Sequence, residues 1–143
     1  MGARRRAREC ALQLLYMWEF HKQYNDFSTE DFWAENREDD ATREFAEAIV
    51  KGVIENLEEI DNIIKSASLN WRIDRMAIVD RNILRIATWE LMRVLDTPLK
   101  VVLNEAIELG KKFGSEDSSA FVNGVLDKVG SLVRKEQVMR NGK

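Results

Sequence analysis

Four arginines stand within five residues near the start of the chain: Arg4, Arg5, Arg6 and Arg8. A guanidinium group binds phosphate through a planar fork of donors and also stacks on nucleobases. The cluster falls at the predicted start of a helix, where positive charge opposes the helix dipole unless an anion docks there. The cluster therefore predicts contact with single-stranded nucleic acid, with a solvated basic tail as the alternative. Four single-strand phosphate contacts would give log K a slope of about −2.8 against log salt.

Aromatic side chains could supply stacking faces for bases at six positions: Tyr16, Trp18, Trp33, Trp71, Trp89 and Phe121. We expect most of these rings to lie in the core. Phe121 differs because it stands in the first turn of the last predicted helix, directly after a polar run at residues 116–119. Free N–H groups at a helix start can bind phosphate while a neighbouring ring stacks on a base. Phe121 is expected either to serve such a site or to pack inward.

Enzyme signatures are absent from the sequence, which contains no GxGxxG, GxxxxGK[ST], HExxH or CxxC motif. Cys10 and His21 are the single cysteine and the single histidine, so neither an internal disulfide nor a Cys/His metal set is available. We expect Cys10 to be buried. Glu105 and Glu108 could form a carboxylate pair, but acids on a helix surface are usually solvated or paired with neighbouring lysines. We therefore expect no catalytic site, no metal and no cofactor.

Helices are predicted to position these residues, because apolar side chains recur at a spacing of 3.6 and the chain has one proline and seven glycines. The Thr97-Pro98 pair is typical of a helix start, with the hydroxyl as cap and proline in the first turn. No strand pattern competes, so the expected fold is an all-α bundle of five to seven helices. The predicted helices cover residues 4–22, 28–36, 41–66, 75–94, 98–114 and from 117 or 118 onward, with Trp71 in a break.

The length and the charge of the chain limit its possible functions further. A chain of 143 residues fits one domain spanning 1–143, and no apolar run approaches the ~20 residues that cross a bilayer. The N-terminus lacks the apolar region of a secretory signal, so we expect a cytoplasmic protein without a membrane role. Acidic residues are concentrated in residues 26–61, and the formal net charge of the whole chain is −3. Because the overall field repels phosphate, any nucleic-acid contact must be local.

Four blocks of sequence resemble the signatures of the NusB family of transcription antitermination factors, in the family's order. The blocks are RRRARECALQLLY at residues 4–16, VDRNILRIATWEL at 79–91, NEAIELGKKFG at 104–114 and FVNGVLDKV at 121–129. Similarity is weakest at about residues 25–45. The resemblance implies a NusB-like bundle of about six to seven helices, in which two three-helix sub-bundles pack at a steep angle and the N-terminal helix spans both.

The resemblance also implies a function. A NusB-like protein is a non-enzymatic RNA-binding factor that binds the boxA element of ribosomal RNA transcripts together with NusE, a small-subunit ribosomal protein. The complex joins the RNA polymerase antitermination complex and promotes rRNA transcription. A homodimer in isolation would be compatible with this role.

Residues matching the family pattern define two expected surfaces. The RNA-binding residues would be Arg4, Arg5, Arg6, Arg8, Tyr16, Asp117, Ser118 and Phe121. The partner-binding residues would be Asp74, Asp80, Arg81 and Arg85, although a solvated charged helix face is the alternative. Gly110 departs from the family, which more often has alanine there. Glycine costs about 1 kcal/mol of helix stability relative to alanine, so that helix is expected to end early or to pack closely.

Two other functions are weighed against this one. A NusB-like domain also occurs at the N-terminus of some RNA cytosine methyltransferases, but the chain has no Rossmann-type glycine loop and no room for a catalytic domain. The second alternative is a purely protein-binding helical scaffold with incidental arginines. RNA binding measured with and without NusE separates all three.

Overall fold

The computed structural model describes residues 2–24, 26–69 and 71–141, with side chains as far as Arg134. No strand occurs among these residues, which confirms the all-α expectation. Short 3-10 helices cover Lys22–Tyr24 and Ile73–Arg75. The α-helices are α1 (Gly2–His21), α2 (Glu30–Glu35), α3 (Asp40–Glu55), α4 (Leu57–Ala67), α5 (Ile78–Arg93), α6 (Leu99–Phe113) and α7 (Ser118–Asn141).

Helix α5 occupies the centre of the bundle, since it packs against five other helices: α1, α3, α4, α6 and α7. Its side chains are buried around most of its circumference from Asn82 to Leu91. A helix that is covered all round is typical of a core position. Near the C-terminal end of α5, the carbonyl of Leu91 accepts a hydrogen bond from Nε of Arg134, a residue of α7, at 3.0 Å. No helix within the described part of the chain is long and apolar enough to cross a membrane.

The helix predicted over residues 41–66 is divided into α3 and α4 by a turn at Asn56. The side chain of Asn56 donates to the carbonyl of Gly52 at 2.8 Å, and its backbone N–H donates to the same oxygen. These bonds end α3, while Asp39 caps its start by accepting from the backbone N–H of Thr42 at 2.8 Å. Periodicity missed the turn because buried side chains continue at helical spacing on both sides of it, at Val53 and Ile60.

The start of α6 differs in detail from the Thr97-Pro98 prediction. Pro98 occupies the N-cap position and Leu99 is the first helical residue, so proline lies one position earlier than expected. The Thr97 hydroxyl makes no capping bond and instead accepts from Nη1 of Arg4 at 3.0 Å. This bond ties the first turn of α1 to the loop between α5 and α6.

Helices α6 and α7 approach each other closely at Gly110. A β-carbon at this position would lie 3.2 Å from Oγ of Ser119 and 3.3 Å from its Cα, which is tighter than ordinary packing. The Ser119 hydroxyl donates across the same contact to the carbonyl of Ile107 at 3.0 Å. Of the two outcomes expected from Gly110, close packing is therefore the one observed, and α6 continues to Phe113.

Candidate nucleic-acid interface

The first turn of α1 carries three arginines whose guanidinium groups remain at least partly exposed. Arg5 donates to both carboxylate oxygens of Glu105, at 3.1 and 2.7 Å. Arg6 donates to Glu38, in the connection before α3, at 2.7 Å. Arg4 lies over the Phe45 ring, 4.7 Å from its centroid. Each guanidinium thus has an internal contact and still presents donors outward, so the cluster can meet anions after exchanging or sharing its partners.

Arg8 is placed differently from the other three arginines. Its side chain is 5% exposed and forms a bidentate pair with Glu90 of α5, at 2.9 and 2.6 Å, while the Glu90 side chain is 1% exposed. Nη1 of Arg8 lies 3.5 Å from Glu105. Because the guanidinium is enclosed and satisfied, Arg8 joins α1 to α5 and offers no donor to a ligand on the surface. The structure thus gives no support to the expected Arg8 contact with RNA.

Tyr16 lies further along α1 with its ring partly exposed. The ring centroid is 5.2 Å from that of Phe20, one turn later, with the two planes tilted by 58°. An exposed ring held by a neighbour is available for stacking at little cost in ordering. Tyr16 therefore remains a candidate for base contact, on the same helix as the arginines.

The start of α7 brings the other expected RNA-binding residues together. Asp117 is exposed, whereas Ser118 is buried. The Ser118 hydroxyl accepts from the backbone N–H of Ser115 at 2.9 Å and donates to Asp80 at 2.6 Å. Ser118 therefore fixes the entry into α7, and it is a positioning residue for Asp117 and Phe121.

Phe121 is half-buried, so neither of its two expected placements describes it fully. Its inner part packs against the core, and its ring meets Trp71 edge to face, with centroids 5.7 Å apart and planes at 74°. Trp71 is 56% exposed. The sequence correctly placed Trp71 in a break between helices but did not associate it with Phe121, because that contact depends on how the end of α4 packs against α7.

The residues expected to meet a protein partner divide into exposed acids and enclosed arginines. Asp74 is exposed and pairs with Arg72 at 2.9 Å, and Asp80 is partly exposed beside Ser118. Arg85 is buried: it donates to both oxygens of Asp61, at 2.9 and 3.0 Å, and to Glu19 at 2.9 Å. Arg85 therefore serves the fold, and its expected contact with a partner is not supported by this placement.

Glu19 of α1 is the centre of this arginine network. Arg81 donates to the two carboxylate oxygens of Glu19 at 2.7 and 2.8 Å, and the Glu19 side chain is 3% exposed. Burial alone would raise the pKa of Glu19. The hydrogen bond from Arg81 and the charges of Arg81, Arg85 and Lys22 outweigh that effect and lower the pKa to about 2. The network holds the end of α1 against the start of α5.

Sequence reasoning missed the acidic residues that pair with these arginines. Glu90 carried the clearest signal, since it is an acid inside the apolar run of α5, where a carboxylate is rarely buried without a partner. Glu105 pairs with Arg5, and that contact holds the pKa of its carboxyl below the ordinary value.

Cys10 is buried as expected, which raises the pKa of its thiol. Among the described residues, no cluster of three or more Asp, Glu, His or Cys side chains could hold a metal ion.

Comparison with known proteins assigns this arrangement to a family. The NusB family model matches residues 5–131. The transcription antitermination protein NusB of Anaeromyxobacter dehalogenans is 52% identical over 90% of both chains. That of Sorangium cellulosum is 48% identical over 90% of this chain and 92% of its own.

Solved structures agree with the sequence comparison. The T. maritima NusB structure has a TM-score of 0.82 and 36% identity, covering 95% of this chain and 96% of its own. The structure of antitermination factors NusB and NusE in complex with dsRNA contains a chain with a TM-score of 0.80 and 30% identity, covering 92% of this chain and 98% of its own. The helical fold described above is thus shared with these solved structures.

Proposed function

Since the chain belongs to the NusB family, we propose that it is a non-enzymatic transcription antitermination factor that binds boxA RNA of ribosomal RNA transcripts together with NusE. The observation that carries the proposal is the close likeness to the NusB chain crystallised with NusE and dsRNA, over nearly its whole length. In this role the protein works in the cytoplasm, within the RNA polymerase antitermination complex.

The proposed RNA surface consists of Arg4, Arg5, Arg6, Tyr16, Asp117 and Phe121. The guanidinium groups contact phosphates, and the aromatic rings stack on bases. The Asp117 carboxylate repels phosphate but can accept a hydrogen bond from a base amino group, which gives it a part in base selection. Arg8 and Ser118 position this surface from beneath it.

The proposed partner surface lies beside the RNA surface, around Asp74 and Asp80. An open cleft of 780 Å³ adjoins Asp74 between the end of α4 and the start of α5. The Ser118–Asp80 hydrogen bond joins the two surfaces, because one end belongs to the start of α7 and the other to α5. Exposed acids suit a basic ribosomal protein.

The test of this function is RNA binding measured with and without NusE. NusE is expected to tighten binding to a boxA RNA, because it supplies positive surface that a chain of net charge −3 lacks. By linkage, the RNA must tighten NusE binding by the same factor. A scrambled RNA of equal length is the control. Equal affinities with and without NusE would contradict the proposal.

Charge reversal separates the two surfaces in the same assay. Asp74→Lys is expected to weaken NusE binding and to spare RNA binding in the absence of NusE, because Asp74 is exposed and its one ion pair among the described side chains is with Arg72. Asp80→Lys is expected to weaken both, because it also removes the acceptor of Ser118.

Phe121→Ala is expected to weaken RNA binding by about 1–3 kcal/mol, the usual value of one base–aromatic stack. The salt slope should stay unchanged, because the lost contact is neutral. The measurement is affinity at several salt concentrations, with thermal unfolding of the same samples. Phe27→Ala is the matched control, since that ring is also half-buried against the core. If Phe121→Ala lowers the melting temperature sharply while the folded variant binds RNA like the parent, Phe121 is a packing residue only.

The salt dependence of RNA binding is expected to reflect three arginines instead of four, because Arg8 is enclosed. At ~0.7 per single-strand contact, these arginines should together contribute about −2.1 to the slope of log K against log salt, and Arg5→Ala should reduce the size of the slope by about 0.7. Glu38→Gln should tighten binding, because it removes a carboxylate that competes with phosphate for Arg6. Glu35→Gln is the control, since it makes the same charge change without an arginine partner among the described side chains. If Glu38→Gln and Glu35→Gln increase the affinity for RNA equally, the effect comes from net charge and not from the release of Arg6.

A further inference from the structure

A groove of 370 Å³ lies next to Phe121, between the end of α4 with its following loop and the first turns of α7. Its lining residues are mainly apolar and include no acid: Ala67, Ser68, Leu69, Trp71, Ala120, Phe121, Gly124, Val125 and Lys128. Within the proposed function, on which this inference rests, we propose that the groove is a second base-binding subsite. It receives the nucleotide adjacent to the one that stacks on Phe121.

The two rings at the groove are arranged for two different bases. The ring planes of Trp71 and Phe121 are close to perpendicular, at 74°, so a single base cannot stack on both. Trp71 lines the groove wall and is 56% exposed, although its ring carries a large apolar surface. Base–aromatic stacking needs such a ring, fixed by a neighbour and open on one side.

The charge of the groove favours a nucleotide over a basic protein segment. Lys128 is its only charged lining residue, and among the described side chains Lys128 forms no ion pair. It stands seven residues after Phe121, about 10 Å along the helix axis at 1.5 Å per residue. Lys128 can therefore meet a phosphate of a strand whose bases lie against Trp71 and Phe121.

Gly124 keeps the α7 side of the groove open. It is exposed, and a β-carbon added there would meet nothing within 4 Å. A larger side chain at this position can enter the groove without displacing any part of the fold, and replacing glycine inside a helix favours folding. Gly124→Leu is therefore a means of filling the subsite while the protein stays folded.

The experiment measures binding of a boxA RNA, and of the same RNA shortened one nucleotide at a time from each end, in the presence of NusE. For the unaltered protein, removing the nucleotide that occupies the groove should weaken binding about 5- to 150-fold, the equivalent of one base–aromatic stack. Trp71→Ala and Gly124→Leu should bind the full RNA more weakly than the parent by the same factor. Removing that nucleotide from the RNA should then cause no further loss of affinity in either variant. Gly124→Ala and Tyr24→Ala are the controls, since one leaves the groove open and the other truncates an exposed ring outside it.

The outcomes distinguish this subsite from the proposed function. The groove takes no nucleotide if both variants bind the full RNA as tightly as the parent, or if shortening the RNA weakens their binding as much as it weakens the parent's. The proposed binding of boxA RNA would be unaffected by that result. If Gly124→Leu weakens NusE binding in the absence of RNA, the groove is a protein contact and the inference is overturned. If the unaltered protein does not prefer boxA to scrambled RNA, the proposed function fails. If Trp71→Ala does not fold, the result for Gly124→Leu alone decides whether the groove binds a nucleotide.

Discussion

Glu90→Ala is expected to lower the free energy of unfolding by about 3–5 kcal/mol, because it leaves the Arg8 guanidinium buried without its partner. The two side chains form a bidentate pair at 2.9 and 2.6 Å, and both are almost fully enclosed. Water cannot replace the lost carboxylate without entering the contact between α1 and α5. The measurement is urea-induced unfolding at neutral pH, followed by the helical circular dichroism signal.

Two controls identify the cause of that loss. Glu108→Ala removes an exposed acid of α6 whose one ion pair among the described side chains is with Lys111, at 3.5 Å, and should cost less than about 1 kcal/mol. Replacing Arg8 and Glu90 together by methionine removes both charges and should recover most of the stability lost in Glu90→Ala. A loss below about 1 kcal/mol in Glu90→Ala would mean that Arg8 finds another anion, with Glu105 the nearest at 3.5 Å.

Acidification is expected to remove about 3 kcal/mol of stability through Glu19 alone, at 1.36 kcal/mol per pKa unit. The pKa of this carboxyl falls from 4.5 to about 2 in the folded protein, because Arg81 and Arg85 outweigh the effect of burial. A group whose pKa is lowered by folding stabilises the protein fully above its unfolded pKa. That stability is then lost as the pH falls from about 4.5 towards 2.

Urea unfolding at a series of pH values between 6 and 2 checks this expectation. Glu19→Gln should be less stable at neutral pH and should show a shallower loss over the acid range, because residue 19 no longer titrates. Glu108→Gln serves as the control, since it makes the same substitution at an exposed acid of α6. If Glu19→Gln keeps the full acid sensitivity of the parent, the other carboxylates carry that sensitivity and Glu19 does not.

Most helices could be predicted from the sequence because local periodicity determines which face of a helix is apolar. The start of α7 at Ser118 was visible as a short polar residue before an apolar stripe, and the end of α6 was visible as a glycine, Gly114, after one. The turn at Asn56 was not, since a one-residue interruption leaves the stripe on each side intact.

The site was only partly predictable, for a different physical reason. The arginine cluster is local and could be recognised, but the partners of Arg8 and Arg5 lie 82 and 100 residues away. Periodicity says which residues face inward and nothing about which of them meet. The acids that Arg5 and Arg8 meet, Glu105 and Glu90, therefore could not be identified until the packing of α1 against the later helices was known.

The unequal exposure of the four tryptophans gives the protein a built-in optical probe. Trp18, Trp33 and Trp89 are 7%, 6% and 8% exposed, whereas Trp71 is 56% exposed. A dissolved quencher such as iodide or acrylamide reaches the indole of Trp71 far more readily than the other three. The quenchable part of the emission therefore comes mainly from one ring, at the groove beside Phe121. Any molecule that covers this ring can be followed by loss of quenching, without a label on either component.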